Sequence, residues 1–308
     1  MFFTIKTLLF DGKGVMLLAV SKRISRGNNS VDKTFEKKPD NTGVELKLIT
    51  GASMNINTGN SQNQGARPYQ EDSFGYSNII DSDTVTNKGV LAILSDGMGG
   101  LSNGKNVADY VVQASIAMFD SINPRVSISN QLINIAKFIN DKVSAQYASN
   151  GSSKAGATMV FAYIFKNRMY WITVGDSRLY CLRNGHLLQM NEDHDYKNQL
   201  LREYLNRGGD LKEIENERQK DSLVCFIGKK DLPYADVSLK GYKIKPNDTF
   251  VLCSDGIYNG IAEHEMVSLL SNNSAQDASD KIVSRILGLR LKGQDNMTIM
   301  VIKCEKNK

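Results

Sequence analysis

The sequence predicts an α+β fold in which antiparallel sheets carry helices on their outer sides. Strand-like runs outnumber helical runs and mostly follow one another, while the helical runs come in pairs. That order is expected when sheets pair among themselves and helices then cover them. Asn184-Gly185, set between two apolar runs, is a hairpin signal of the antiparallel kind. With 308 residues, 41% of them hydrophobic, the chain is long enough for one large domain or two ordinary ones with a proper core.

Residues 1–10 are apolar but lack a basic start, and Asp11 and Lys13 interrupt them before residues 15–20. They make a poor signal peptide; an atypical export signal, or a chain that begins at Met16, stays open. Residues 21–42 are polar, mixed in charge and without period, so residues 1–42 are expected to form a flexible N-terminal extension ahead of a folded domain over 43–305. Residues 44–49 and 52–57 alternate as strands do, and 58–65, rich in Asn, Gln and Gly, reads as a soft loop. Arg67-Pro68-Tyr69-Gln70-Glu71-Asp72 then leads into a strand at 73–76.

The apolar run 91–94 ends abruptly in Ser95-Asp96-Gly97-Met98-Gly99-Gly100, a buried strand delivering a carboxylate to a tight loop. Residues 107–122 and 128–147 carry apolar side chains at helical spacing. Strands follow at 156–165, 169–174 and 179–182, then polar helices at 195–207 and 211–219. The interval 195–222 therefore reads as a lid-like insertion. Strands at 236–239 and 249–253, helices at 263–270 and 275–289, and a strand at 297–303 complete the chain.

A net charge of +5 is too mild to imply nucleic acid, and no run interleaves Arg with aromatics as a binding groove would. The four cysteines, Cys181, Cys225, Cys253 and Cys304, are far apart and mostly lie in apolar runs. Buried free thiols, a reducing compartment and a cytoplasmic location are the expectation. No uncharged apolar run approaches the ~20 residues that a membrane-spanning helix needs. With three histidines, a metal would have to lean on carboxylates rather than on nitrogen and sulfur.

Carboxylates recur in one pattern. Residues 250–256 repeat the design of apolar strand followed by Ser254-Asp255-Gly256, and Asp295-Asn296 precedes the final strand. In antiparallel neighbours Asp295 then lies level with Asp255. Glu71-Asp72 also precede a strand, so five acids gather at one edge of the sheets. Buried like charges repel unless a cation neutralises them, which points to a divalent metal. For Asp96 alone, a plain Asp-Gly turn after a strand is the alternative.

These motifs, in order, resemble the metal-dependent protein phosphatases of type 2C, bacterial members in particular: Arg67-x-x-x-Glu71-Asp72, Ser95 to Gly100, Gly156-Ala157-Thr158, Val174-Gly175-Asp176-Ser177-Arg178, Asp193-His194, Ser254-Asp255-Gly256 and Asp295-Asn296. The resemblance covers about residues 44–304. It implies a central antiparallel β-sandwich flanked by helix pairs, in α-β-β-α layers, and hydrolysis of phosphoserine or phosphothreonine in proteins, opposing a Ser/Thr kinase. It further implies two Mn²⁺ or Mg²⁺ ions bridged by Asp96, with the Gly97 carbonyl on one ion and Asp255 and Asp295 on the other. Glu71 and Asp72 would hold waters, and Arg67 would bind the phosphate with its fork of donors. For Arg67 a surface ion pair with Glu71 is the plainer alternative.

The chain departs from the family at two points. Asp176 resembles a ligand of a weak third ion, but its usual acidic companion is Asn259 here, which contributes less charge. Met98 stands where some members carry a histidine proposed to protonate the leaving oxygen. His194 reads equally as a capping or packing residue, and hydrogen bonding to nearby loops suffices to explain Thr158, Ser177 and Arg178. Two other functions remain open: a catalytically silent phosphoprotein-binding module on the same fold, and a phosphomonoesterase for small molecules.

Overall fold

The computed structural model describes residues 9–10, 16–17, 46–50, 54–77, 87–98, 103–149, 152–153, 155–207 and 211–306. The chain divides into two compact units, Met1–Thr42 and Gly43–Lys308. Of the first, the described residues are two short antiparallel strands, β1 (Leu9–Phe10) and β2 (Met16–Leu17). The flexible extension expected over the rest of 1–42 lies outside the described residues, as do Gly99 and Gly100.

The second unit opens with β3 (Leu46–Thr50), β4 (Met54–Asn63), β5 (Ser73–Tyr76), β6 (Val90–Ser95) and β7 (Gly97–Met98). Helices α1 (Asn103–Phe119) and α2 (Ile128–Tyr147) follow, then β8 (Ala148–Ser149), β9 (Ser152–Ser153), β10 (Gly156–Ala157), β11 (Met159–Phe165), β12 (Arg168–Val174), β13 (Arg178–Arg183) and β14 (His186–Gln189). After α3 (Tyr196–Arg207) and α4 (Leu211–Glu215) come β15 (Asp236–Val237), β16 (Tyr242–Lys243) and β17 (Thr249–Cys253). The one-turn α5 (Asp255–Tyr258), α6 (Glu263–Asn272), α7 (Ala275–Gly288) and β18 (Met297–Lys306) close the unit.

Two six-stranded sheets result. The first runs β15-β12-β11-β6-β5 with β16 also on β12, and the second runs β14-β13-β17-β18-β4-β3. Their pairings are antiparallel. Side-chain alternation explains why the inner strands are apolar at nearly every position. Along β6, Val90, Ala92 and Leu94 face the core between the sheets, while Leu91 and Ile93 face α1 and α2. Along β17, Phe250 and Leu252 face inward, whereas Val251 and Cys253 meet α6 and α7. A strand covered on both faces has no polar side to show, so its period of two is hidden in the sequence. The result is the expected α-β-β-α layering.

The hairpin expected at Asn184-Gly185 joins β13 to β14, and both turn residues take positive φ, 52° and 79°, as a type I′ turn requires. One expectation fails. The stretch 58–65 read as a loop, yet β4 continues to Asn63. Its polar side chains would not form a strand alone, but β18 and β3 pair with it on either side. The Asn60 main chain also exchanges two hydrogen bonds with Gln276 of α7.

Candidate metal centre

The exit of β6 and the entry of β5 bring the first acids together. Ser73 is registered opposite Ser95, so Asp72, just before one strand, faces Asp96, just after the other. Asp96 is fixed by its main chain: its N–H donates to Thr158 Oγ1 (2.8 Å), and its carbonyl accepts from the Thr158 N–H (2.8 Å). Ser95 Oγ donates to the Thr158 carbonyl (2.6 Å). In the second sheet, Cys253 is registered opposite Ile299. The exit of β17 therefore lies beside the entry of β18, which places Asp255 and Asp295 at one end, as antiparallel geometry predicts. Asp255 does not sit in a loop like Asp96 but opens α5, with Ser254 in the N-cap position.

These acids also act on one another electrostatically. Burial pushes Asp96 well above the usual carboxylate range, and the charges of Asp72, Asp255, Asp176 and Asp295 push it further. Asp255 is pushed up to about 7 by burial, then by Asp295, Asp176 and Asp72. Burial also raises Asp72 to about 6, against the lowering effect of hydrogen bonds from Thr298 and Ser254, and raises Asp176 to about 6. Glu71 is raised by burial as well. Two oxygens, Glu71 Oε1 and Asp72 Oδ1, are buried without a hydrogen-bond partner. Desolvated carboxylates that raise one another, with acceptor oxygens left over, are a donor set suited to a hard, hydrated divalent cation. Among the described residues no three His, Cys, Asp or Glu side chains stand ready-closed around one point.

Arg67 ion-pairs through Nη2 with Asp295 Oδ2 at 2.5 Å, not with Glu71 as the plainer sequence alternative had it. It stands half-exposed at the rim, and its pKa is raised by Asp295 first and by Asp255 and Asp96 besides. The charge of Asp176 raises both Asp96 and Asp255. Asn259 is exposed at the C-cap of α5, its main-chain N–H donating to the Asp255 carbonyl.

His194 is a packing residue. Its Nδ1 accepts from the Gly175 N–H (3.1 Å), its ring meets Tyr234 edge-on at 4.8 Å, and burial lowers its pKa to about 4. It thereby fixes the loop that carries Asp176. Arg178 grips Asp193 with Nε and Nη2 and lies 3.5 Å over the Tyr258 ring, tying that loop to α5. Thr158 Oγ1 also meets Ser177 Oγ at 2.7 Å, so one threonine links the Asp96 and Asp176 loops.

No role for Asn296 is legible in the sequence. In the fold its Oδ1 accepts from the Glu71 N–H (2.7 Å), and its Nδ2 donates to the Gln64 and Tyr69 carbonyls. A buried amide thus shapes the Arg67 to Asp72 segment from 225 residues away along the chain. The only local signal was its place beside Asp295.

The interval 195–222 leaves and rejoins the body side by side. Asp195 bridges Leu223, Tyr196 N–H donates to the Ser222 carbonyl and Lys197 N–H to the Lys220 carbonyl. A cavity of about 610 Å³ opens along this stem, lined by Arg178, Asp193, Asp195, Asp221 and Asp236 among others, and by none of the expected metal ligands.

Against known proteins, the family model for Protein phosphatase 2C matches residues 69–287. The serine/threonine phosphatase stp of Listeria welshimeri is 26% identical over 223 residues, covering 69% of this chain and 84% of that protein. Among solved structures, the S. agalactiae serine/threonine phosphatase superposes with a TM-score of 0.67 at 21% identity, covering 80% of this chain and 99% of that one. The catalytic domain of the serine/threonine protein phosphatase PstP, solved in complex with two manganese ions, gives 0.62 at 22% identity over 82% of this chain and 99% of that one.

Proposed function

The chain belongs to the protein phosphatase 2C family, a family of serine/threonine phosphatases, and from that membership we propose a two-ion mechanism acting on phosphoserine and phosphothreonine in proteins. The observation that carries it is the delivery of Asp72, Asp96, Asp255 and Asp295 by four different strands to one end of the sandwich, where Ser254 and Thr298 of the second sheet hydrogen-bond Asp72 of the first. Asp96, the Gly97 carbonyl, Asp255 and Asp295 would hold two Mn²⁺ or Mg²⁺ ions, a pairing supported by the PstP catalytic domain in complex with two manganese ions. Bound ions of this kind supply the positive charge that makes a water nucleophilic near neutral pH.

The chain's own residues do the rest. Glu71 and Asp72 present free acceptor oxygens that orient water. Arg67, half-exposed at the rim, exchanges its carboxylate partner for a phosphoryl group, whose oxygens match its donor fork. Neither Met98 nor His194, neutral and engaged with Gly175, donates a proton to the leaving oxygen; water serves that step. With Asn259 in place of an acid, a third ion at Asp176 binds weakly.

The insertion 195–222 acts as a lid beside Asp176, and residues 1–42 serve as an extension to the catalytic domain. The substrates are those of an opposing Ser/Thr kinase. Four buried free thiols suit the cytoplasm, and among the described residues no helix is long and apolar enough to cross a membrane. The test is phosphate release from a phosphothreonine peptide with Mn²⁺, with chelator, and by Asp96→Asn. Release is expected only from the unaltered chain with Mn²⁺; equal release in all three would refute the mechanism.

A further inference from the structure

We propose that Thr298 and Ser254 are positioning residues of the metal centre, acting through Asp72; this rests on the two-ion function above. The two hydroxyls belong to the second sheet, Thr298 to β18 and Ser254 to the end of β17, while Asp72 enters β5 of the first. Thr298 Oγ1 donates to Asp72 Oδ2 (2.6 Å), and Ser254 Oγ donates to the same oxygen (2.8 Å). Each hydroxyl is itself oriented: Ser254 Oγ accepts from the Thr298 N–H (3.0 Å), and Thr298 Oγ1 accepts from Gln62 Nε2 (2.9 Å). All three residues, Asp72, Ser254 and Thr298, are fully buried.

The arrangement commits one carboxylate oxygen and spares the other. Oδ2 receives both hydroxyls, and Oδ1 is buried with no donor, in a carboxyl group that lies within hydrogen-bond reach of Asp96. A buried carboxylate is a poor way to stabilise a sandwich, since an apolar side chain of similar volume generally serves better. What it does supply is registry. Asp72 abuts Asp96, Ser254 precedes Asp255, and Thr298 lies three residues past Asp295. A single buried carboxylate therefore ties together the three chain segments that carry the proposed ligands, across the two sheets. Such outer partners commonly tune metal affinity.

The experiment is Mn²⁺ titration calorimetry on the full chain. Thr298→Val, which keeps the shape and removes the hydroxyl, is expected to weaken Mn²⁺ binding about 10–100-fold, while Thr298→Ser stays near the unaltered chain. In an Asp72→Asn background Thr298→Val is expected to add little, because the partner it acts through is already changed. At saturating Mn²⁺ the KM for a phosphothreonine peptide stays the same. Unchanged affinity in Thr298→Val, an equal loss in Thr298→Ser, or a full additional loss in the Asp72→Asn background would each overturn the proposal. If near-ultraviolet circular dichroism shows Thr298→Val unfolded, Ser254→Ala decides by the same titration. An unaltered chain that binds no Mn²⁺ would instead overturn the two-ion function itself.

Discussion

Ser95-Asp96-Gly97 and Ser254-Asp255-Gly256 are the same tripeptide after the same kind of buried apolar strand, yet they build different structures. After Asp96 the chain stays extended, and Gly97-Met98 pair with Gly156-Ala157. After Ser254 it turns into α5. The serines diverge too. Ser95 bonds within its own sheet, to the Thr158 carbonyl, whereas Ser254 reaches across the sandwich to Asp72. Only the glycines play one role. A Cβ on Gly97 would run into the Gly104 main chain at the start of α1 and come within 2.7 Å of the Glu71 carbonyl oxygen, and a Cβ on Gly256 would run into the Asn296 carbonyl. In both places a second segment of the centre packs directly on the backbone beside the acid. Identical sequence therefore secures the carboxylate's delivery, while the neighbours decide what each serine and each following turn does.

The sharpest way to break this comparison is to replace the two acids separately. Asp96→Asn is expected to abolish binding of both ions, with a loss of turnover well beyond the ~10–100-fold typical of an outer partner. Asp255→Asn is expected to leave one ion bound. Calorimetric stoichiometry distinguishes them, and equal behaviour would remove the distinction between a bridging and a one-ion ligand. Next in size, Gly97→Ala and Gly256→Ala should each lower stability by about 1–3 kcal/mol, the usual range for overpacking. Thermal unfolding would show it, and a neutral result at either position would deny the close backbone approach there.

The acids should also make stability depend on pH. Asp96 and Asp255 are raised in the folded chain, Asp255 to about 7, so the folded state holds more protons than the unfolded one between the ordinary carboxylate range and about pH 7. Their contribution is fully present below that ordinary range and is lost as pH rises through the folded value. Without metal, the unfolding temperature should fall from about pH 4 to about pH 7. The increase on adding Mn²⁺ should grow over the same interval, since protons and cation compete for the same oxygens. A Mn²⁺ shift independent of pH would contradict the coupling. The smallest effect is reserved for Ser95→Ala, which removes one buried hydrogen bond worth about 0.5–1.5 kcal/mol and should leave Mn²⁺ affinity unchanged, unlike Ser254→Ala.

Much of the centre was legible because its acids sit at punctuation marks. Asp96 and Asp255 close apolar runs, while Asp72 and Asp295 open strands, and the antiparallel pattern then puts exits beside entries. The misread stretch, 58–63 of β4, fails for the opposite reason: its Asn, Gln and Gly residues have weak strand preference, and β18, β3 and Gln276 supply what they lack. Likewise nothing near Arg67 in sequence announces that Asp295 is its partner, or that Asn296 shapes the segment following it.

What the sequence determined by itself was the antiparallel strands, the helices outside them and the acids at the strand ends, because side-chain periodicity and the chemistry of Asp-Gly turns are properties of neighbouring residues; the sandwich layering was implied by the family resemblance. Only the tertiary structure decided that Asp72 is held by Thr298 and Ser254, that His194 packs on Gly175, and that the second Ser-Asp-Gly becomes a helix. Those outcomes depend on hydrogen bonds between residues far apart in the chain, such as the pair Asp72 and Thr298, 226 positions apart, and such bonds exist only once the two sheets have closed on a common core.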